Sequence, residues 1–270
     1  MKEHRSQQRS DSPRAGGGVS GSARRQVAAA RRPFAVFDID GTLIRWQLYH
    51  AVADALAKGG HASPEIYQAM RDARMTWKRR ADADAFKAYE EKVIFAYEKA
   101  LQKMNFSQFG KIAEQVFDEY KEQVYTYTRG LISELKGKGY VLLAISGSPV
   151  EIVEHVVKFW GFDDFLGTVY ARKGNGFSGK KIVHAFDKAR ALKSMVDRHG
   201  LDLKASVGVG DTKSDIPMLK MVEKPIAFNP DRDLFEHAKK QGWKVVIERK
   251  NMVYELEKQN GRYQLVKTSA

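Results

Sequence analysis

The sequence predicts an α/β fold: a parallel sheet covered by helices on both faces, with a helical bundle inserted after the first strand. Three observations predict it. The apolar runs Phe34–Phe37 and Val141–Ile145, and the mainly apolar Ala205–Val209, read as strands buried in a parallel sheet. From Tyr125 onward short apolar runs alternate with helical periodicity, the pattern of βαβ units. Between these regions lie about eighty residues whose apolar spacing is helical only.

Taken in order, Phe34-Ala35-Val36-Phe37 forms the first strand, and Asp38-Ile39-Asp40-Gly41-Thr42 ends it in a turn. Gln47–Ala57 is the first helix, closed by Lys58-Gly59-Gly60. Ser63-Pro64 supplies an N-cap and a first-turn proline for the second. Asp84–Met104 is a third, aromatic-rich helix, and Ser107 is expected to cap a fourth. Four amphipathic helices with short connections pack as a bundle. The domain expectation is therefore a helical cap over 46–124 inserted into a core formed by 33–45 and 125–248. In the second half, Leu131–Lys138, Pro149–Trp160, Asp187–His199, Ser214–Val222 and Pro230–Gln241 read as helices. Val141–Ile145, Val169–Ala171, Ala205–Val209, Pro225–Phe228 and Lys244–Ile247 read as strands, and Gly174-Asn175-Gly176 as a hairpin turn. Residues 249–270 read as a polar C-terminal tail.

The composition bounds the chemistry. The 270 residues contain no cysteine, which excludes disulfides, thiolate metal sites and cysteine nucleophiles. A hydrophobic share of 43% supports a real core, and no run is long and apolar enough for a membrane span. The net charge of +13 is uneven: residues 1–32 carry eight Lys and Arg against Glu3 and Asp11. That Arg/Gly/Ser-rich segment buries too little apolar surface to offset its ordering entropy and is expected to be a disordered basic tail. It lacks the apolar stretch of a secretory signal, and a cytoplasmic location is expected. The remaining positive surplus is diffuse, and no nucleic-acid recognition motif accompanies it.

The chemistry-bearing residues fall at strand ends. Asp38 and Asp40 lie two apart at the carboxyl end of the first strand, where open α/β sheets place their ligand crevices. Two converging carboxylates repel unless a cation or a shared proton separates them, which suits a divalent metal and a carboxylate nucleophile. Val141–Ile145 leads into Ser146-Gly147-Ser148 ahead of a helix start, a cradle for an anion through backbone N–H groups. Ala205–Val209 leads into Gly210-Asp211, with Asp215 four residues on, oxygen ligands that suit Mg²⁺. Lys188 lies in the helix before that strand, where a lysine can point into the crevice and balance the carboxylates, although most helix lysines are solvated and composition alone does not single it out.

Together these segments resemble the four motifs of the haloacid dehalogenase superfamily, over roughly residues 33–247. The motifs are Asp38-Ile39-Asp40-Gly41-Thr42, Ser146-Gly147, Lys188, and Gly210-Asp211 with Asp215. An insertion directly after the first motif is similar to the branch with a helical-bundle cap that includes phosphoserine phosphatases. Gly176-Phe177-Ser178-Gly179 and Lys188-Ala189-Arg190-Ala191-Leu192 are similar to further segments of that branch. The resemblance implies a Rossmann-like parallel sheet core with an inserted helical-bundle cap. It also implies a Mg²⁺-dependent phosphomonoester hydrolase acting through an aspartyl-phosphate.

In that scheme Asp38 is the nucleophile and Asp40 the general acid and base. Ser146, the Gly147 amide and Lys188 hold the transferring oxygens. Asp38, the Asp40 carbonyl and Asp211 hold the metal, and Asp215 orients a bound water or Lys188. The branch places a glutamate nine residues after the nucleophile to hold a substrate ammonium; here that position is the neutral Gln47. Gln47 and the cap residue Arg74 are the expected substrate contacts, and the substrate class is a small phosphorylated metabolite, with phosphoserine one candidate. The alternatives are a phosphotransferase of the same family and a nucleic-acid-associated protein that uses its basic tail.

Overall fold

Nine strands form one sheet in the order β4-β3-β2-β1-β5-β6-β7-β8-β9. The structure, a computed structural model, describes residues 31–270 apart from 81 and 83. The expected basic tail over 1–32 lies outside the described residues as far as residue 30, and Arg32 already belongs to β1 (Arg32–Phe37).

β1 is central because both its faces are apolar. Phe34 and Val36 pack into one core with Leu143 and Ile145. Ala35 and Phe37 pack into the other with Leu142 and Ala144. β2 (Val141–Pro149), β3 (Asp164–Lys173), β5 (Leu201–Gly210), β6 (Lys224–Phe228) and β7 (Lys244–Arg249) extend the parallel sheet on either side. β4 (Gly176–Val183) pairs antiparallel with β3 across the expected turn at Gly174-Asn175. The register decides where chemistry can occur. Phe37 lies opposite Ala144 of β2 and Val209 of β5, so the chain after each of these strands emerges at one edge.

One face of the sheet carries α7 (Lys188–His199), α8 (Ile216–Leu219) and α9 (Arg232–Gln241), which bury Leu192, Met195, Leu219 and Leu234. The other carries α5 (Thr126–Gly137), α6 (Val150–Trp160) and the inserted helices. These are α1 (Leu48–Lys58), α2 (Pro64–Lys78), α3 (Ala85–Leu101) and α4 (Phe106–Tyr120). Ser63 caps α2 as its Ser-Pro pair predicts, accepting from the Ile66 N–H. The cap of α4 is Asn105 rather than Ser107. Its side chain accepts from the Gln108 N–H while Gln108 answers the Asn105 N–H, a reciprocal box that satisfies two orphan donors. Leu48, Val52, Tyr97 and Phe109 of the inserted helices share one apolar cluster with Phe37 and Leu142 of the sheet.

The polar tail expected over 249–270 is a correction. Residues 252–269 form the hairpin β8 (Met252–Gln259) and β9 (Arg262–Ser269), which extends the sheet antiparallel to β7. Val253 and Glu255 alternate inward, and the Glu255 carboxylate pairs with both Lys244 and Lys267. Asn260-Gly261 turns with both residues at positive φ, the conformation that favours Asn-Gly in two-residue hairpins. The charges between the apolar positions hide this alternation from a reading that weighs composition.

Candidate active site

The aligned strand ends bring Asp38, Asp211 and Asp215 together. One carboxylate oxygen from each lies within 4.8 Å of the others. Lys188, at the first turn of α7, reaches across the sheet edge into this group. Its Nζ donates to Asp38 Oδ1 and to Asp215 Oδ1, each at 2.5 Å. The lysine and both partners are buried. Burial opposes the lysine's charge, but the two carboxylates outweigh it and raise its proton affinity above the ordinary value.

The carboxylates are raised as well, because burial opposes their charge. Asp38 is raised to about 7, chiefly by desolvation, with Lys188 pulling it down and Asp215 and Asp40 pushing it up. Asp211 is raised well above the usual range by burial, then by Asp38 and Asp215.

Close approach is possible because two positions lack a Cβ. A Cβ on Gly41, which has φ +83°, would lie 2.2 Å from Asp211 Oδ2. One on Gly210 would lie 2.5 Å from the Asp215 side chain. Asp215 is itself spent on structure: its Oδ2 accepts from the Asp211 and Thr212 N–H groups at 3.0 and 2.9 Å. It therefore fixes the loop that presents Asp211 and anchors Lys188.

Asp40 occupies a second polar nest beside the first. Its Oδ1 accepts from the Leu48 N–H at 2.6 Å and from Ser148 Oγ at 3.0 Å, and its Oδ2 from Ser146 Oγ at 2.7 Å. Burial raises its carboxyl above the usual range, and the hydrogen bonds from Ser146, Leu48 and Ser148 pull it down. The N-terminus of α1 is thus tied to the end of β1 through one side chain.

A cavity of about 290 Å³ opens over both nests. Asp38, Asp40, Gly147, Lys188 and Asp211 line it, and Gln47 joins them from the start of α1. Two expected residues are placed otherwise. Ser146 is fully buried and does not line the cavity; its hydroxyl is committed to Asp40, and Ser148 takes the cavity-facing position. Arg74 is not at the site either, because its guanidinium pairs with Asp54 at 3.0 Å and lies 4.9 Å from the Trp46 ring centroid.

The far end of the cavity was not legible in the sequence. It is lined by Tyr49 and His50 of α1, Phe86 and Glu90 of α3, Tyr170 of β3 and Phe186. Tyr49 and Tyr170 share a hydroxyl hydrogen bond at 2.9 Å. The only signal for Ser148 is its place in Ser-Gly-Ser. Glu90 sits among other charged positions of α3 with nothing to mark it.

His50 gives this end a pH signature. It is 3% exposed among Trp46, Phe86 and Tyr89, and its Nδ1 has no hydrogen-bond partner among the described residues. Burial, and then Arg74, lower its pKa to about 4. The folded state thus binds the proton more weakly than the unfolded chain, whose imidazole titrates at about 6.5. The neutral ring's contribution is complete above about pH 6.5 and is lost as pH falls towards about 4. Urea unfolding of the wild type against His50→Phe is expected to show an excess slope in the wild type approaching about 1.4 kcal/mol per pH unit in that window. Parallel pH profiles would show that His50 is not held neutral.

Residues 35–220 match the family model described as haloacid dehalogenase-like hydrolase. The chain belongs to that family. A phosphoserine phosphatase of Mycobacterium tuberculosis is 30% identical to this HAD-like hydrolase over 138 residues, 50% of this chain and 45% of that protein. A histidinol-phosphatase of Neisseria meningitidis is 26% identical over 222 residues, 78% of this chain and 97% of that protein. A solved phosphoserine phosphatase with a phospho-aspartyl intermediate analogue shares the fold, with a TM-score of 0.56 and 19% identity, covering 82% of this chain and 94% of that one. The chain spans 45–50% of the length of several curated relatives it matches. The protein is an enzyme of the HAD-like hydrolase family with phosphatase-named relatives. No described helix is long and apolar enough to cross a membrane.

Proposed function

We propose that this HAD-like hydrolase is a phosphatase that cleaves a small phosphomonoester through an aspartyl-phosphate on Asp38. The observation that carries the reading is the position of Asp38. Its carboxylate lines the cavity with Oδ1 on Lys188, and Oδ2 accepts no hydrogen bond among the described residues.

Asp38 attacks phosphorus, and the ester P–O bond breaks as the new P–O bond forms. Asp40 gives its proton to the leaving alcohol oxygen. In the second half, Asp40 takes a proton from water, which attacks phosphorus and returns Asp38 as a free carboxylate. Ser146 and Ser148 hold the Asp40 carboxyl in place through both steps. Lys188 and the exposed backbone at Gly147 face the phosphoryl oxygens, the electrostatic contribution that dominates phosphoryl transfer. Residues 46–124 act as the cap over a core of 33–45 and 125–248.

A hard divalent cation suits this donor set. The donors are all oxygen, crowded and largely buried, and Asp38 and Asp211 are both pushed towards protonation by burial and by neighbouring carboxylates, Asp215 among them. Asp38, Asp211 and the Asp40 carbonyl would hold Mg²⁺, with Asp215 positioning Asp211 and Lys188. When bound, the ion would neutralise charge on the phosphoryl group.

Phosphate release from a panel of sugar phosphates, nucleotides, phosphoserine and p-nitrophenyl phosphate tests the reading. Release that stops in EDTA and returns with Mg²⁺ is expected. No release from any member by folded, Mg²⁺-supplied protein would overturn it.

A further inference from the structure

The cavity has two chemically different ends. At the inner end Asp38, Asp211 and Asp215 share the single lysine Lys188 and face the position of a phosphoryl group. At the far end the formal charges are few. Lys181 lines it, but its Nζ is 2.5 Å from Glu98 Oε1, so the lysine is already paired. His50 lines it as a neutral ring, kept so by burial. Glu90 lines it and has no ion-pair partner among the described residues. The balance at this end is therefore one uncompensated carboxylate.

Four aromatic side chains, Tyr49, Phe86, Tyr170 and Phe186, line the same cavity. Aromatic walls attract a cation through their quadrupole, and more strongly as it is desolvated. A substrate carboxylate would find the reverse. Arg74 is spent on Asp54, Lys181 on Glu98, and Lys188 on Asp38 and Asp215. A second anionic group placed here would meet Glu90 without a cation to offset it.

We infer that the far end selects phosphomonoesters whose alcohol carries a cationic nitrogen and no carboxylate, with Glu90 as the specificity-determining residue. The inference rests on the phosphatase reading of the same cavity and deepens it to a substrate class, aminoalkyl phosphates. A volume of about 290 Å³ suits a molecule of that size, with the phosphate at Asp38 and the nitrogen among the rings.

The test compares kcat/KM for O-phosphoethanolamine, glycerol phosphate and O-phosphoserine in the wild type, Glu90→Gln and Glu90→Lys. Glycerol phosphate keeps the phosphate but has no charged nitrogen, and phosphoserine restores a carboxylate. The wild type is expected to favour phosphoethanolamine over glycerol phosphate by about tenfold, the worth of one partly desolvated cation contact. Phosphoserine is expected to fall below phosphoethanolamine as well. Glu90→Gln should bring the phosphoethanolamine-to-glycerol phosphate ratio near one, with the change carried by KM, and Glu90→Lys should invert it. Glu90 lies on the exposed side of α3, and circular dichroism of each variant verifies that the helix persists.

A wild type that favours glycerol phosphate or phosphoserine, or a preference that survives Glu90→Gln, overturns the inference. Turnover of p-nitrophenyl phosphate by the wild type separates the two levels. With that turnover present and no preference for the amine, the substrate class is wrong and the phosphatase reading stands. With no phosphate released from any compound, the phosphatase reading falls and takes the inference with it.

Discussion

Asp38→Asn is expected to reduce phosphate release by at least about ten-thousandfold, the scale on which removing a covalent nucleophile acts, while the protein stays folded. The amide keeps the shape of the carboxylate but cannot form the acyl phosphate. Its effect on folding is of the opposite sign to its effect on turnover. In metal-free protein Asp38 is one of three crowded carboxylates served by one lysine, and burial, with Asp215 and Asp40 beside it, outweighs Lys188 and raises it to about 7. Removing its charge relieves repulsion from Asp215 and Asp211 and leaves Lys188 paired to Asp215. The thermal midpoint in EDTA should therefore be unchanged or higher than that of the wild type. Phosphate release and thermal melting on the same preparation check both halves. Turnover within tenfold of the wild type would remove the covalent route through Asp38.

Much of this arrangement was legible because strand ends are where local sequence and fold coincide. Apolar runs identify β1, β2 and β5, and parallel pairing at matched register brings the loops at their carboxyl ends to one edge. Asp38, Asp40, Gly147 and Asp211 are readable for that reason. Lys188 required the resemblance, since nothing in its helix distinguishes it from a solvated lysine. Ser146 and Ser148 differ only in which one the chain turns inward. Both hydroxyls reach the Asp40 carboxylate, and of the two only Ser148 lines the cavity. Arg74 misleads because a cation on a helix carries no sign of its partner. Here the partner is Asp54, twenty positions earlier on the neighbouring helix. Glu90 fails to stand out for the complementary reason: its importance lies in having no partner among the described residues, a property of the packed cavity. The hairpin of β8 and β9 shows composition masking pattern. Its inward positions Val253 and Glu255 alternate properly, but one of them is charged and its neutralising lysines lie on β7 and β9.

Lys188→Met tests whether the cluster is charged at all. The ammonium is 3% exposed and bonds both Asp38 and Asp215, so methionine fills the stem's volume while stranding two carboxylates. Breaking one side of a buried ionic group typically costs about 3–5 kcal/mol. For a chain of this size that corresponds to a drop in the melting midpoint of roughly 10 °C. The loss is expected to be greatest in EDTA and smaller in millimolar Mg²⁺, because a cation bound among the same oxygens neutralises the charge the lysine left. Adding Asp215→Asn to Lys188→Met should recover part of the stability without metal, since it removes one of the stranded charges, whereas additive losses would assign the lysine a packing role only. A single variant as stable as the wild type in EDTA would mean that the carboxylates carry protons in the folded state, and that Lys188 balances nothing. The two arms thus separate a lysine that compensates charge from one that fills space, and only the first fits a buried cluster in which one ammonium bonds both Asp38 and Asp215.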